Sequence, residues 1–219
     1  MFENKKIFIL GMARSGYEAA KVLAKHNNQI IITDIKDQDS EHLKELKELG
    51  VKFVKSDNPS DLLDETYDYL VKNPGIKVDH PTVQKAKSLN IPVTNEVDVA
   101  YSYFPKKLKI IAVTGSNGKT TTTTMIYEIL KKASLPVLLG GNIGYPVCSL
   151  VDAVKENDIL VLEISSHQLH DMKDFKANIS IMTNLSPVHI DHFGTYEYYK
   201  QQKFKIFNNQ TKDDIAILN

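Results

Sequence analysis

The sequence predicts an α/β fold in which two parallel-sheet units follow one another along the chain. Short apolar, β-branched segments alternate with longer amphipathic ones, which is the pattern of βαβ units. Two glycine-containing turns, at Gly11 and Gly115, each stand between an apolar segment and an amphipathic one. The 219 residues suffice for two compact units. We therefore expect a Rossmann-like domain over residues 1–100 and a P-loop mononucleotide-binding α/β domain over residues 101–219.

The first unit is predicted from its apolar periodicity. Strands are expected at 6–10, 29–33, 51–54, 67–71 and 91–93, and helices at 15–26, 41–49 and 82–89. Residues 101–107, with Pro105 and two lysines, interrupt the pattern and are the expected linker.

The second unit repeats the alternation. Strands are expected at 108–113, 137–139, 159–164, 179–183 and 215–219, and helices at 119–133 and 195–208. The strands at 159–164 and 179–183 are almost wholly apolar, as burial on both faces of a parallel sheet requires. Because the sequence stops on a strand pattern, we expect this domain to be incomplete.

Charge and cysteine content narrow the function. Lys plus Arg and Asp plus Glu both number 27, so no net field attracts a polyanion, and nucleic acid is not an expected partner. The single cysteine, Cys148, cannot form an internal disulfide. No apolar run approaches the roughly 18 residues that span a bilayer. These features predict a cytoplasmic protein with no membrane partner, which we expect to be a monomer.

The strongest motif is the segment from Gly115 to Thr121. It reads Gly115-Ser116-Asn117-Gly118-Lys119-Thr120-Thr121. Glycines let backbone N–H groups turn toward phosphate oxygens, the lysine neutralises phosphate charge, and the hydroxyl after it can ligate magnesium. The spacing departs from the common form G-x-x-x-x-G-K-[ST], because Val113 stands at the position of its first glycine. A turn that only caps a helix needs neither the lysine nor Thr120, so ATP with Mg²⁺ is the expected ligand.

The first glycine turn is less decisive. Gly11 and Gly16 frame it, and Asp34 ends the next predicted strand, as in a dinucleotide fingerprint. Its middle glycine is replaced by Ala13, whose methyl hinders close approach of a pyrophosphate. A nucleotide other than a nicotinamide cofactor is therefore favoured, while a tight turn without ligand remains open. Arg14, Ser15 and the helix N-terminus would hold the phosphates of such a ligand. Asn73, Pro74 and Gly75 follow another predicted strand, where such folds bind ligands, but alone they indicate only a turn.

Polar residues downstream follow two predicted strands of the second unit. Glu163 ends one strand and His189 follows the next, so both are candidate metal ligands at the edge that carries the phosphate loop. His167 and His170, with His189 and His192, leave a zinc site open, but they fall in predicted loops without cysteine. Lys203 lies on a partly apolar helix face, where a lysine that snorkels to solvent is the simpler interpretation.

These motifs together resemble the Mur ligase superfamily, and within it the branch that adds D-glutamate. The resemblance covers essentially the whole chain. It rests on the segments 10–16, 72–76, 114–121, 141–144, 162–169 and 189–192, which include Gly141-Asn142-Ile143-Gly144 and Ser165-Ser166-His167-Gln168.

The resemblance implies a ligase whose second, here truncated, central domain binds ATP. Its first domain would hold the uridine nucleotide around Arg14, Ser15, Asp34, Asn73, Pro74 and Gly75. UDP-N-acetylmuramoyl-L-alanine and D-glutamate would be joined through an acyl phosphate during peptidoglycan synthesis. Lys119 would stabilise the transferring phosphoryl group, Thr120 and Glu163 would serve one magnesium, and His189 a second. Lys203 matches a position that is carbamylated in the family. Asn142, Ser165 and Gln168 would face the substrate.

Other functions remain open on the sequence. A ligase for another amino acid, a folylpolyglutamate-type ligase, an NAD-dependent oxidoreductase and a nonenzymatic nucleotide-binding module are the alternatives. The family's third domain has no counterpart in these 219 residues, so we expect binding of substrate with poor turnover.

Overall fold

The structure, a computed structural model, describes residues 2–187 and 193–219. The chain divides into two compact units, Met1–Ser102 and Tyr103–Asn219. Each unit contains one five-stranded parallel sheet, which confirms the predicted α/β fold class. In the described ranges, the longest apolar helices fall short of what a bilayer crossing requires.

The first unit has the strand order β3-β2-β1-β4-β5, the order of a Rossmann sheet. Its strands are β1 (Lys6–Leu10), β2 (Gln29–Asp34), β3 (Lys52–Lys55), β4 (Tyr69–Lys72) and β5 (Val93–Thr94). Its helices are α1 (Arg14–Ala24), α2 (Ser40–Glu48), α3 (Pro81–Ser88) and α4 (Glu96–Tyr103), with a 3₁₀ turn at Pro59–Leu62. The central strand β1 is buried on both faces from Ile7 to Leu10, because helices cover the sheet on either side.

The second unit has the order β10-β9-β6-β8-β7, with the strand that precedes the phosphate loop in the centre. Its strands are β6 (Lys109–Thr114), β7 (Val137–Gly141), β8 (Ile159–Glu163), β9 (Ile179–Met182) and β10 (Ile215–Leu218). Its helices are α5 (Lys119–Lys132), α6 (Ser166–Asp171) and α7 (Tyr196–Phe204), with 3₁₀ turns at Val147–Leu150 and Lys205–Phe207.

Two helices were not predicted. Helix α4 extends through Tyr103 and so takes in the start of the expected linker at 101–107. Its start is capped by Asn95, whose Oδ1 accepts from the Val97 N–H at 3.0 Å. Helix α6 begins at a capping box in which Ser165 and Gln168 bond reciprocally. Placing His167 and His170 in a loop was therefore wrong, because both lie on α6.

The parallel arrangement determines where a site can form. In each sheet all strands end at the same edge, so the turns after β1, β2 and β4 share one edge of the first sheet. The turns after β6, β8 and β9 share one edge of the second. Ligands of open α/β sheets bind at this carboxyl edge.

Candidate nucleotide sites

The phosphate loop joins β6 to α5 in a conformation that requires its two glycines. Gly115 has φ +148°, and a Cβ there would lie 2.0 Å from Thr183 Oγ1. Gly118 has φ +77° and is the N-cap of α5, with open space where a Cβ would stand. The loop is thus pressed against the end of β9 at Gly115 and opens at Gly118.

The backbone N–H groups of the loop fall into two sets. Those of Ser116 and Asn117 bond to Asn184, through its carbonyl and its Oδ1, both at 3.0 Å. The N–H groups of residues 118–121, at the start of α5, have no acceptor in the described part of the chain. A helix N-terminus with free N–H groups and partial positive charge suits a phosphate. Of the loop N–H groups that were expected to face phosphate, those of residues 118–121 are therefore the ones available to it.

Lys119 lies over the loop that it follows. Its Nζ donates to the carbonyls of Gly115 and Ser116, both at 3.0 Å. An ammonium can donate three hydrogen bonds, and these two carbonyls accept two of them. Thr121, also predicted to bind cofactor, is exposed in the first turn of α5.

Glu163 lies beside the loop at the end of β8, as predicted. Its Oε2 accepts from the Thr120 hydroxyl at 2.7 Å, and its Oε1 accepts from the Asn142 side-chain amide at 2.7 Å. The residue is only 1% exposed. Gly141 must precede Asn142, because a Cβ there would lie 2.2 Å from the Glu163 carbonyl oxygen. The two predicted magnesium ligands are thus adjacent, and Asn142 fixes the carboxylate.

Lys203 reaches the same loop from α7. It is 1% exposed, so the snorkelling interpretation was wrong. Its Nζ donates to the Gly115 carbonyl at 2.7 Å and to Thr114 Oγ1 at 3.0 Å. Burial first, then the nearby Lys119 charge, lower the pKa of Lys203 from 10.5 to about 7, against the opposing effect of the Glu163 carboxylate. A large fraction of this amine is therefore neutral at neutral pH.

Several residues that brace the loop were not predicted. Tyr199 OH and Ser116 Oγ lie 3.0 Å apart, and Ser116 Oγ also donates to the Ser186 carbonyl at 3.0 Å. Asn184 Nδ2 donates to the Asn117 carbonyl at 2.9 Å. Asn184 and Ser186 follow β9, so their position after an apolar strand was the available signal. Nothing in the local pattern marks Tyr199.

The remaining predicted residues of the second unit lie apart from this cluster or outside the described part. Ser165 and Gln168 bond to each other in the cap of α6, with Ser165 N to Gln168 Oε1 at 2.9 Å. His189 and His192 lie outside the described residues. Both ring nitrogens of His170 are already hydrogen-bonded, to Asp171 and Tyr198, which disfavours zinc at that residue. Among the described residues no group of three potential ligands could hold a metal ion.

The first unit contains a cavity of about 810 Å³ at the carboxyl edge of its sheet. Of the residues singled out from the sequence, Gly11, Ala13, Asp34 and Asn73 line it, and Arg14, Ser15, Pro74 and Gly75 are not among the lining residues described. The volume is in the range of small-molecule sites. His80 and Lys36, not predicted, also line it.

Asp34 organises the wall of this cavity. Its Oδ2 accepts from the Met12 N–H at 2.8 Å and its Oδ1 from the Lys36 N–H at 3.0 Å. Gly16 packs so closely that a Cβ would lie 2.0 Å from the Gly11 carbonyl oxygen. Gly11 has φ +92°, and a Cβ there would lie 3.0 Å from Asn73 Cβ, so both glycines of the turn have a structural reason that is independent of any ligand. Asn73 adds an Asx turn, with its Oδ1 accepting from the Gly75 N–H at 3.2 Å.

The donor set around the phosphate loop fits magnesium and a phosphate chain. Oxygen ligands are those that Mg²⁺ prefers, and Thr120 and Glu163 present two of them side by side. The open position at Gly118, the N–H groups of residues 118–121 and the Lys119 ammonium provide positive potential next to them.

Two open parallel sheets, the second with a phosphate-loop turn at its central strand, define an α/β protein of the P-loop-containing class. Sequence comparison then gives the family. A model described as the Mur ligase middle domain matches residues 113–219, and one described as the Mur ligase MurD-like N-terminal domain matches residues 5–95. The chain belongs to the Mur ligase family.

Individual relatives agree with this assignment. The chain is 45% identical over 219 residues to the UDP-N-acetylmuramoylalanine–D-glutamate ligases of Streptococcus agalactiae serotype III (strain NEM316) and Streptococcus mutans serotype c (strain ATCC 700610 / UA159). These matches include 100% of this chain and 48% of each relative, so the chain spans about half the length of the curated relatives it matches.

A solved structure shares the fold. The UDP-N-acetylmuramate:L-alanyl-gamma-D-glutamyl-meso-diaminopimelate ligase (MPL) from Neisseria meningitides superposes with a TM-score of 0.57 at 17% identity. The superposition covers 98% of this chain and 71% of that one. At this identity the likeness concerns the fold alone.

Proposed function

We propose that this chain forms the nucleotide-substrate and ATP-binding parts of an ATP-dependent ligase that adds D-glutamate to UDP-N-acetylmuramoyl-L-alanine. The substrates would be this UDP-linked compound, D-glutamate and ATP, with Mg²⁺, in the cytoplasm and in a monomer. The observation that carries the proposal is the Thr120–Glu163 pair beside Lys119 at the phosphate loop. The 45% identity to ligases named for this reaction supports the choice of substrate.

The proposed reaction has two steps. The substrate carboxylate attacks the γ-phosphorus of ATP, the bond to ADP breaks, and an acyl phosphate forms. The amine of D-glutamate then attacks the acyl carbon, loses a proton and releases phosphate. Bound magnesium would neutralise charge on the phosphate oxygens.

Each residue of the loop has a role that its position supports. Thr120 and Glu163 would hold the metal, with Asn142 orienting the carboxylate. Lys119 would exchange its two carbonyl contacts for phosphate oxygens, and the N–H groups at the start of α5 would bind the same chain of phosphates. Gly115, Ser116 and Asn117 would hold the loop in place through their contacts with β9 and the segment after it.

Two further roles rest on the family resemblance. His189, outside the described residues, would serve a second metal. The Lys203 amine would react with carbon dioxide to give a carbamate and a proton, which requires the neutral amine that burial favours. Ser165 and Gln168 would keep the neighbouring α6 in position for the substrate.

The first domain, residues 1–100, would bind the uridine nucleotide in the cavity lined by Asp34 and Asn73. Arg14 and Ser15, at the start of α1, and the Pro74-Gly75 turn would complete the site from its rim. A nicotinamide cofactor is not favoured, because Ala13 occupies the position where a pyrophosphate needs a glycine and itself lines the cavity.

Calorimetric titration of the 219-residue chain tests the proposal. MgATP and UDP-N-acetylmuramoyl-L-alanine should bind and NAD should not. Lys119→Ala should weaken MgATP at least tenfold, since a charge-assisted hydrogen bond contributes roughly 1.5–3 kcal/mol. Lys132→Ala, at the exposed end of the same helix, is the matched control and should leave affinity unchanged. Undiminished MgATP affinity in Lys119→Ala would refute the assignment of the loop.

A further inference from the structure

Helices α6 and α7 are joined by a carboxylate, an imidazole and a phenol in series. Asp171 Oδ1 lies 2.6 Å from His170 Nδ1, and His170 Nε2 lies 2.9 Å from Tyr198 OH. The His170 and Asp171 side chains are only 13% and 5% exposed. A carboxylate can only accept, so the His170 ring donates from Nδ1 to Asp171, while its Nε2 and the Tyr198 hydroxyl share the second hydrogen bond.

A second contact ties the same residue to the far end of α7. Lys205, the residue after the last turn, donates from Nζ to the His170 carbonyl at 2.6 Å. Burial lowers the pKa of this lysine, as expected of an amine held away from water. His170 therefore contacts the first turn of α7 through its ring and the segment after the helix through its carbonyl. Phe193 packs near this ring and that of Tyr198, with centroids 6.5 and 6.2 Å away.

Helix α7 carries two groups that contact the phosphate loop between these two points. Tyr199 OH lies 3.0 Å from Ser116 Oγ, and Lys203 Nζ lies 2.7 Å from the Gly115 carbonyl oxygen. The helix has only nine residues, which is too short for stability of its own. Its position must therefore come from tertiary contacts. The two contacts of His170, with Tyr198 and with Lys205, lie at the two ends of the helix.

We propose that His170 is a positioning residue for the phosphate loop, because it holds both ends of α7 and α7 holds Tyr199 and Lys203 against residues 114–116. Asp171 contributes by orienting the His170 ring through the hydrogen bond at Nδ1. The expected effect on nucleotide affinity rests on the proposed function. The two contacts of His170 with α7 and Lys205, which we call the tether, exist in the free chain.

The test compares four variants of the 219-residue chain. Tyr198→Phe removes one hydroxyl, His170→Phe keeps an aromatic ring beside Phe193, and the third variant combines both changes. The control is Tyr196→Phe on the same helix, whose hydroxyl has no hydrogen-bond partner within the described residues and whose ring stacks on Tyr199. Hydrogen exchange of the amides of residues 199–204 is measured without ligand, and MgATP affinity is measured by calorimetry.

The expected result follows from the loss of one hydrogen bond. Exchange in residues 199–204 should accelerate about fivefold in Tyr198→Phe and at least as much in His170→Phe. The double variant should match His170→Phe, since the bond is already broken there. MgATP affinity should fall about threefold or more in the same variants and stay unchanged in Tyr196→Phe. If His170→Phe does not fold, Tyr198→Phe alone decides.

Three results would overturn the inference. The first is an exchange rate in Tyr198→Phe equal to that of the wild type. The second is exchange in the double variant faster than in His170→Phe, as if the two changes acted independently. The third is faster exchange in these variants with MgATP affinity unchanged. Exchange requires no nucleotide, so it judges the tether even if the wild-type chain fails to bind MgATP, a result that would count against the proposed function.

Discussion

Replacing Lys203 with methionine should change how the stability of the second unit depends on pH. Methionine keeps an unbranched chain of similar length and removes the ionisable amine. The Gly115 carbonyl retains its bond from Lys119, and Thr114 Oγ1 retains its bond to the Ile164 carbonyl at 2.7 Å. The substitution therefore tests the charge with little loss of hydrogen bonding around it.

The magnitude follows from the pKa of Lys203, which is lowered from 10.5 to about 7. In the unfolded chain the amine keeps its proton up to about pH 10.5, whereas the folded chain releases it near pH 7. Between these values the unfolded state binds more protons, so stability rises with pH. The contribution of the neutral amine is fully present above pH 10.5 and is lost as the pH falls to about 7. Between pH 7 and 9 the wild type should gain about 2 kcal/mol over Lys203→Met.

Urea unfolding followed by circular dichroism at both pH values measures this difference. Lys200→Met is the matched control: Lys200 lies one turn earlier on α7, its side chain is 36% exposed, and its hydrogen bond to Glu197 raises its pKa. For that variant, the difference from wild type should be the same at pH 7 and 9. A constant difference between Lys203→Met and wild type would refute the reasoning, because it would mean that burial does not neutralise the amine.

Three other outcomes are expected. Glu163→Gln should abolish the gain in ATP affinity on adding Mg²⁺ while leaving metal-free ATP binding largely intact, as calorimetry with and without chelator would measure. Gly16→Ala should destabilise the first unit by about 3 kcal/mol in urea unfolding, because its Cβ would lie 2.0 Å from the Gly11 carbonyl oxygen. His80, whose Nδ1 accepts from the Thr82 N–H, has a pKa lowered from 6.5 by burial, so stability should fall as the pH drops below 6.5, and His80→Asn should flatten that dependence. The first prediction fails if Mg²⁺ still raises the ATP affinity of Glu163→Gln, and the second fails if Gly16→Ala is as stable as the wild type. The third fails if the stability of His80→Asn depends on pH as that of the wild type does.

The strands were predictable because burial on both faces leaves a strong apolar signal. The segments that became β6, β8 and β9 were located within one or two residues from composition alone. Helix α4 was missed because Glu96 and Asp98 are buried in it, at 1% and 2% exposure, which apolar periodicity cannot reveal. Helix α6 had a visible signal, since Ser165 and Gln168 have the spacing of a capping box.

The residues of the candidate site also fall into those that a local sequence pattern reveals and those that only the fold brings together. Glycine, lysine and threonine from 115 to 120 are contiguous, and Glu163 ends an obvious strand, so both were found from local pattern. Asn184 and Tyr199 contact the loop across 67 and 83 residues of sequence, and only the topology brings them there. The depth at which Lys203 is buried was also invisible, since a partly apolar helix face is compatible with a lysine that snorkels to solvent as well as with a buried one.

The Gly115 carbonyl accepts from two lysine side chains at once, Lys119 at 3.0 Å and Lys203 at 2.7 Å. If Lys119 exchanges its carbonyl contacts for a phosphate, as proposed, the Gly115 oxygen keeps Lys203 as a donor and remains hydrogen-bonded. The phosphate would also offset the Lys119 charge that helps to lower the Lys203 pKa, so that pKa would rise. Because Lys119 and Lys203 share one carbonyl oxygen, a polyphosphate that binds Lys119 on α5 would also change the surroundings of Lys203 on α7.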